Sequence, residues 1–235
     1  MVKNTKLLAD KIVDALSNRL QNIELPSIKS IYVCGSYCRG DWLNCSSDLD
    51  IHMIINDSGA DLEYIKSIVD DDFPSHCPGG VEYGVSHISH IPKTYQDACK
   101  PSPYAYFSTL MFDLKENNIT LYGDNINDLL PVTPDPKVYA RDWFHMLSGR
   151  LNDDERLPFG VYKMIIAAQL HFGEKTVNKY KMLELYQKYI PEFSMKWFGE
   201  LVIRNYIGSI YPDRVPACFS YAEYRSFVDE LSKLF

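Results

Sequence analysis

Along the first half of the chain the apolar positions switch between two periods. Leu7, Leu8, Ile12, Val13, Leu16 and Leu20 recur at helical spacing, which predicts an amphipathic helix over Asn4–Gln21, ended by Leu25-Pro26-Ser27. Ser30–Cys34 is a short β-branched and aromatic run halted by Gly35. Leu49–Ile55 is a second strand, ended by the turn-forming residues Asn56-Asp57-Ser58-Gly59. A helix is expected over Asp61–Val69 and a third strand over Val81–Ile88, after the Pro78-Gly79-Gly80 turn. Within that strand Val81, Tyr83 and Val85 alternate as a half-buried sheet strand requires. A helix over Tyr104–Lys115 and a short strand over Ile119–Tyr122 follow.

Pro131, Pro134 and Pro136 then crowd one short segment and make a natural linker. Beyond it the pattern is helical throughout, over Val138–Leu151, Gly160–Phe172, Lys179–Tyr189, Ser194–Ile210 and Tyr221–Phe235. No internal repeat or low-complexity tract is present. The sequence predicts a small domain of strands and helices over residues 1–133, followed by a helical bundle over residues 134–235.

Composition changes this picture only in its charge. Apolar residues at 46% and charged ones at 23% are ordinary for a globular chain of 235 residues. The net charge of -7 is unevenly spread: 10 basic and 18 acidic residues lie up to Pro134, against 14 basic and 13 acidic from Asp135 onward. An acidic first domain repels phosphate backbones and favours cations, so a general nucleic-acid binder is excluded. Cysteines at 34, 38, 45, 77, 99 and 218 follow neither a disulfide framework nor a zinc spacing. No secretory signal opens the sequence, and no stretch approaches the ~18 apolar residues of a membrane span. The expectation is a soluble, reduced, cytoplasmic protein.

The chemistry concentrates between Ile31 and Ile55. A strand ends in Gly35-Ser36, and a second strand carries Asp48 and Asp50. Residues two apart on a strand share a face, so both carboxylates project together, while Leu49, Ile51, Met53 and Ile55 take the opposite, buried face. Two like charges that close are costly without a cation, and paired carboxylates at a strand start suit a magnesium site for phosphoryl transfer. Gly35 permits close backbone approach, and the Ser36 hydroxyl with nearby amides is suited to gripping phosphate oxygens. Gly40 lets the chain turn back toward the second strand.

Gly35-Ser36-x-x-Arg39-Gly40 followed by Ser47-Asp48-x-Asp50 resembles the signature of the DNA polymerase beta-like nucleotidyltransferase superfamily. The span from Ser36 to Asp48 is one residue longer than in those relatives, so either Ser46 or Ser47 occupies the serine position before the carboxylates. The resemblance implies an α+β fold with a mixed-sheet palm. It implies two Mg2+ ions on Asp48 and Asp50, and Gly35, Ser36, Arg39 and Ser47 in nucleotide binding. It also implies a third acid on a neighbouring strand, where Glu82 is the candidate. A glutamate there is similar to the aminoglycoside adenylyltransferases, in which it is expected to act as general base on the acceptor hydroxyl.

Two further segments resemble that branch. Leu121-Tyr122-Gly123-Asp124 is similar to the element closing its catalytic domain. Gly173 to Met182 and Tyr189-Ile190-Pro191 are similar to part of its helical domain, which implies that Lys179 serves the nucleotide triphosphate. The expected activity is transfer of a nucleoside monophosphate, AMP from ATP, to a hydroxyl of a small acceptor such as an aminoglycoside. The acidity would suit a cationic acceptor. A protein acceptor and a catalytically inactive nucleotide-binding module of the same fold are the alternatives. His87 and His90 read as strand-end histidines rather than metal ligands. Tyr104, Tyr106 and Phe107 are candidates for stacking in a base or acceptor pocket.

Overall fold

The computed structural model describes residues 5–43, 47–56, 63–65, 67, 80–98, 105–132, 135–149, 157–174, 178–208 and 220–235, with the side chains of 105–110, 157–159 and 206–208 not described. The chain divides into two units, Met1–Val132 and Thr133–Phe235.

The N-terminal unit is built on four strands, β1 (Ile28–Cys34), β2 (Leu49–Ile55), β3 (Val81–His87) and β4 (Ile119–Gly123), ordered β3-β2-β1-β4. β1 is antiparallel to both β2 and β4, while β2 and β3 run parallel, so the sheet is mixed. Helix α1 (Thr5–Leu20) buries Ala9, Ile12, Val13, Leu16 and Leu20. These residues form one core with Ile28, Ile31 and Val33 of β1 and Leu49, Ile51 and Met53 of β2. Each fully buried aliphatic side chain of this layer contributes about 1.5–3 kcal/mol. The short helix α2 (Gly35–Arg39) follows β1 directly and ends at Gly40, whose φ of 71° is left-handed. The unit is completed by α3 (Tyr95–Ala98), α4 (Ala105–Glu116) and α5 (Ile126–Leu129).

The C-terminal unit is helical: α6 (Pro136–Ser148), α7 (Leu157–His171), α8 (Met182–Tyr189), α9 (Lys196–Gly208) and α10 (Tyr221–Leu231). Asp135 caps α6 by accepting from the Lys137 amide, with Pro136 at the first helical position. Ser220 and Glu223 form a reciprocal capping box on α10. Phe198 stacks edge-on against Tyr224 and lies against Phe227 in the core. The fold is α+β, as expected from the sequence.

Several expected boundaries differ, each for a local reason. β1 begins at Ile28, because an irregularity between Ile28 and Ser30 lets the strand resume pairing with Ile55. The helix expected over Lys179–Tyr189 opens as a 3-10 turn over Lys179–Lys181, set by the Asn178 side chain accepting from the Tyr180 amide. The helix expected from Ser194 begins at Lys196, because Glu230 accepts from the Ser194 hydroxyl and, at 2.9 Å, from the Met195 amide. Of the alternating residues of β3, Val81 and Tyr83 pack against the core while Val85 is 40% exposed. His52 and Ile54, on the face of β2 opposite its core residues, are buried as well. Residues 63–65 and 67 of the expected 61–69 helix are helical, and its remainder lies outside the described residues. So do Ser46, Tyr104 and Cys45, Cys77, Cys99 and Cys218. Cys34 and Cys38 are free thiols. Among the described residues, no helix is long and apolar enough to cross a membrane.

Candidate active site

β2 carries its carboxylates where the strand begins. Asp48 stands one residue before it and Asp50 is its second residue, both half-buried. Asp50 is the register partner of Cys34 on one side and Glu82 on the other. The parallel pairing therefore sets the exposed Glu82 beside Asp50. Each of Asp48, Asp50 and Glu82 offers an oxygen, and the three oxygens lie within 4.8 Å of one another. Three like charges at that spacing repel strongly, and hard oxygen donors of this kind match magnesium. The donor set fits the metal that the motif implies.

Gly35 explains why the preceding loop must contain a glycine. Its φ of 70° is left-handed, and a Cβ there would stand 1.8 Å from Asp50 Oδ2. The Asp50 carboxylate thus lies directly against the start of α2. Ser36 is 3% exposed, and its Oγ has no hydrogen-bond partner among the described residues. Ser36 is the second residue of α2, next to the Gly35 on which Asp50 packs. The backbone of the same turn is closed, the Asp41 amide donating to the Ser36 carbonyl at 3.1 Å.

Arg39 and Ser47 are engaged within the fold. The Arg39 Nε donates to Asp41 at 3.2 Å and its Nη1 to Asp113 of α4 at 2.5 Å. Burial works against this charge, yet the carboxylates of Asp113 and Asp41 outweigh it and hold the guanidinium above its ordinary value. Ser47 is buried, and its Oγ accepts from the Leu43 amide at 2.9 Å, tightening the turn that delivers Asp48. Lys179 belongs to the C-terminal unit, as first residue of the 3-10 turn.

Sequence reasoning missed the layer beneath the carboxylates. On the Asp50 face, His52 is 4% exposed, shares a hydrogen bond with Ser86 Oγ at 3.0 Å, and lies against Tyr32 with ring centroids 5.3 Å apart. Burial pushes its imidazole down to about 4, so the ring is neutral. The one available signal was its position two residues after Asp50. Cys38, whose Sγ donates to the Val33 carbonyl at 3.3 Å, is pushed up to about 12 by burial and the Asp113 charge. His87 has both ring nitrogens engaged, one with Ser89 Oγ and the other with the Asn56 carbonyl. The side chains of Tyr106 and Phe107 lie outside those described.

No protein-family model matches this sequence, and no curated protein does. Among solved structures, the fold is similar to that of spectinomycin adenyltransferase AAD(9) from Enterococcus faecialis, crystallised with ATP and spectinomycin. The TM-score is 0.52, covering 96% of this chain and 98% of that one at 14% identity. The similarity in fold extends over nearly the whole length of both chains.

Proposed function

We propose that the chain is a magnesium-dependent nucleotidyltransferase that moves AMP from ATP to a hydroxyl of a small acceptor and releases pyrophosphate. The observation that carries this reading is the Asp48–Asp50–Glu82 trio, with ligand oxygens within 4.8 Å and Asp50 packed on Gly35, the residue before the buried, unpartnered Ser36 hydroxyl. The shared fold with an adenyltransferase supports it.

On this reading residues 1–133 are the catalytic domain and Asp48 and Asp50 hold two magnesium ions. Magnesium, when bound, neutralises the triphosphate and the charge that develops during transfer. Ser36 donates its hydroxyl to a phosphate oxygen, and Gly35 leaves the room that lets Asp50 stand over that phosphate. Glu82, exposed at the sheet edge, accepts the acceptor's hydroxyl proton. The acceptor oxygen then bonds to the α-phosphorus as the bond to the bridging oxygen breaks, and pyrophosphate leaves. Lys179 is assigned to the triphosphate on the motif alone. Arg39 and Ser47 act through the loop they hold, fixing Ser36 and Asp48. Rate enhancement comes from positioning and charge neutralisation.

The acidity of the catalytic domain favours a cationic acceptor, and an aminoglycoside has that chemistry. The test is transfer of labelled nucleotide to aminoglycosides and cell metabolites, with pyrophosphate as the readout. Asp48→Asn and Asp50→Asn are expected to bring turnover to background in a folded protein. Unimpaired turnover in either variant refutes the metal assignment. Magnesium-dependent ATP binding with no turnover on any acceptor replaces the enzyme with a binding module.

A further inference from the structure

β3 poses a problem of register. It is an edge strand, and among its seven residues Ser86 alone is buried. β2 and β3 pair in parallel, so no two-residue hairpin can set their register. Val81 and Tyr83 pack against the core and fix the face that β3 presents, but this alternation does not distinguish a slip of two residues. Yet the site tolerates no slip. One residue would turn Glu82 to the opposite face, and two would carry it roughly 6.6 Å along the strand. The latter exceeds the 4.8 Å that contains all three carboxylate oxygens.

The layer beneath the carboxylates supplies what is missing. Gly84 is the register partner of His52, one pair below Asp50 and Glu82 on the same face. A Cβ on Gly84 would stand 1.9 Å from His52 Nδ1 and 2.5 Å from Cε1, so the imidazole occupies the space that a side chain would fill. The other ring nitrogen meets Ser86 Oγ, the next residue of β3 on that face. The ring also lies against Tyr32 of β1. In either two-residue slip, Glu82 or Ser86 would present a Cβ to the imidazole at that clashing distance. A glycine inside a strand commonly marks such a close approach.

We propose that His52, seated in the gap left by Gly84 and tied to Ser86, is the positioning residue that sets the β2–β3 register and thereby holds Glu82 beside Asp50. This rests on the assignment of the carboxylate trio as the reacting centre. His52 does not touch substrate; it acts through the strand that carries Glu82.

The experiment compares wild type, Gly84→Ala, Ser86→Ala and the Gly84→Ala/His52→Ala double variant. It reads amide hydrogen exchange, Mn2+ affinity and nucleotide-transfer kinetics. Gly84→Ala is expected to raise exchange selectively in residues 81–87, weaken Mn2+ binding, and lower kcat about a hundredfold while the nucleotide KM holds within about threefold. The double variant relieves the clash but removes the imidazole and its Ser86 bond, so it is expected to keep β3 exchange raised and Mn2+ binding weak. Ser86→Ala removes only the hydrogen bond, and is expected to speed β3 exchange about fivefold, keeping the test open should Gly84→Ala not fold. Unchanged β3 exchange in both single variants overturns the proposal, as does a double variant that regains wild-type β3 protection and Mn2+ affinity without His52. If wild type neither binds Mn2+ nor transfers nucleotide while exchange follows the expected pattern, the functional reading fails and the register lock stands.

Discussion

Gly35→Ala separates the two reasons for a glycine at the head of α2. The first is conformational: at φ 70° an alanine costs about 1–2 kcal/mol. The second is steric. The new Cβ would lie 1.8 Å from Asp50 Oδ2, and contacts under 3.0 Å are essentially never seen, so the carboxylate must retreat by at least 3.0 − 1.8 = 1.2 Å. Moving the Asp50 side chain off its rotamer adds about 0.5–1.5 kcal/mol. A total near 2–3 kcal/mol corresponds to a Tm lowered by roughly 5–10 °C for a chain of this size. A displacement above an ångström at a reacting group costs on the order of a hundredfold in rate. Gly40→Ala is the matched control: its φ of 71° carries the same strain, but nothing lies within 4 Å of its Cβ. Calorimetry, Mn2+ titration and labelled-ATP transfer on both variants give the comparison. Gly40→Ala is expected to lose stability alone, and Gly35→Ala to lose stability, Mn2+ affinity and rate together. Equal Mn2+ affinity and rate in the two variants would refute the packing of Asp50 on Gly35.

Arg39→Met strips the countercharge from Asp41, which is fully buried, and from Asp113. It is expected to cost about 3–5 kcal/mol, with Arg39→Lys recovering little because an ammonium lacks the fork that spans both carboxylates. Thermal melting decides this, and a loss below about 1 kcal/mol for Arg39→Met contradicts a structural role for the pairing. Cys38, with its thiol pushed up to about 12, is expected to alkylate at pH 8 on the order of a thousandfold more slowly than in the urea-unfolded chain. Site-resolved mass spectrometry measures the ratio, and comparable rates would show the thiol to be open to solvent.

Much of the site was legible because it is local. Asp48 and Asp50 share a face through strand alternation, and Gly35 marks the close approach of Asp50 from the next strand. What stayed illegible depends on partners brought by topology. Arg39 carries no sign of Asp113, which arrives on α4. Glu82 is identifiable as the acid of a third strand, but its placement beside Asp50 follows from a parallel register that no local pattern encodes. Val85 fits the alternation of a buried face and is nonetheless exposed, because nothing in the pattern of a single strand says that it lies at an edge. His52 is a polar residue within an apolar strand. Its meaning lies in Gly84, a residue with no side chain to announce the contact.

The sheet order has a consequence for how the protein assembles. β1 meets β2 across the short interval between Cys34 and Asp50, so the pairing that presents both aspartates closes a small loop. β1 meets β4 only across the interval from Val33 to Ile119, a far larger closure. On loop-closure entropy alone, the pairing that presents the aspartates costs less to form than the pairing that completes the sheet. Until Ile119–Gly123 pairs, the far side of β1 is an open template of unpaired amides and carbonyls. β4 is the strand that seals it, which makes the end of the N-terminal unit the segment on which escape from misassembly depends.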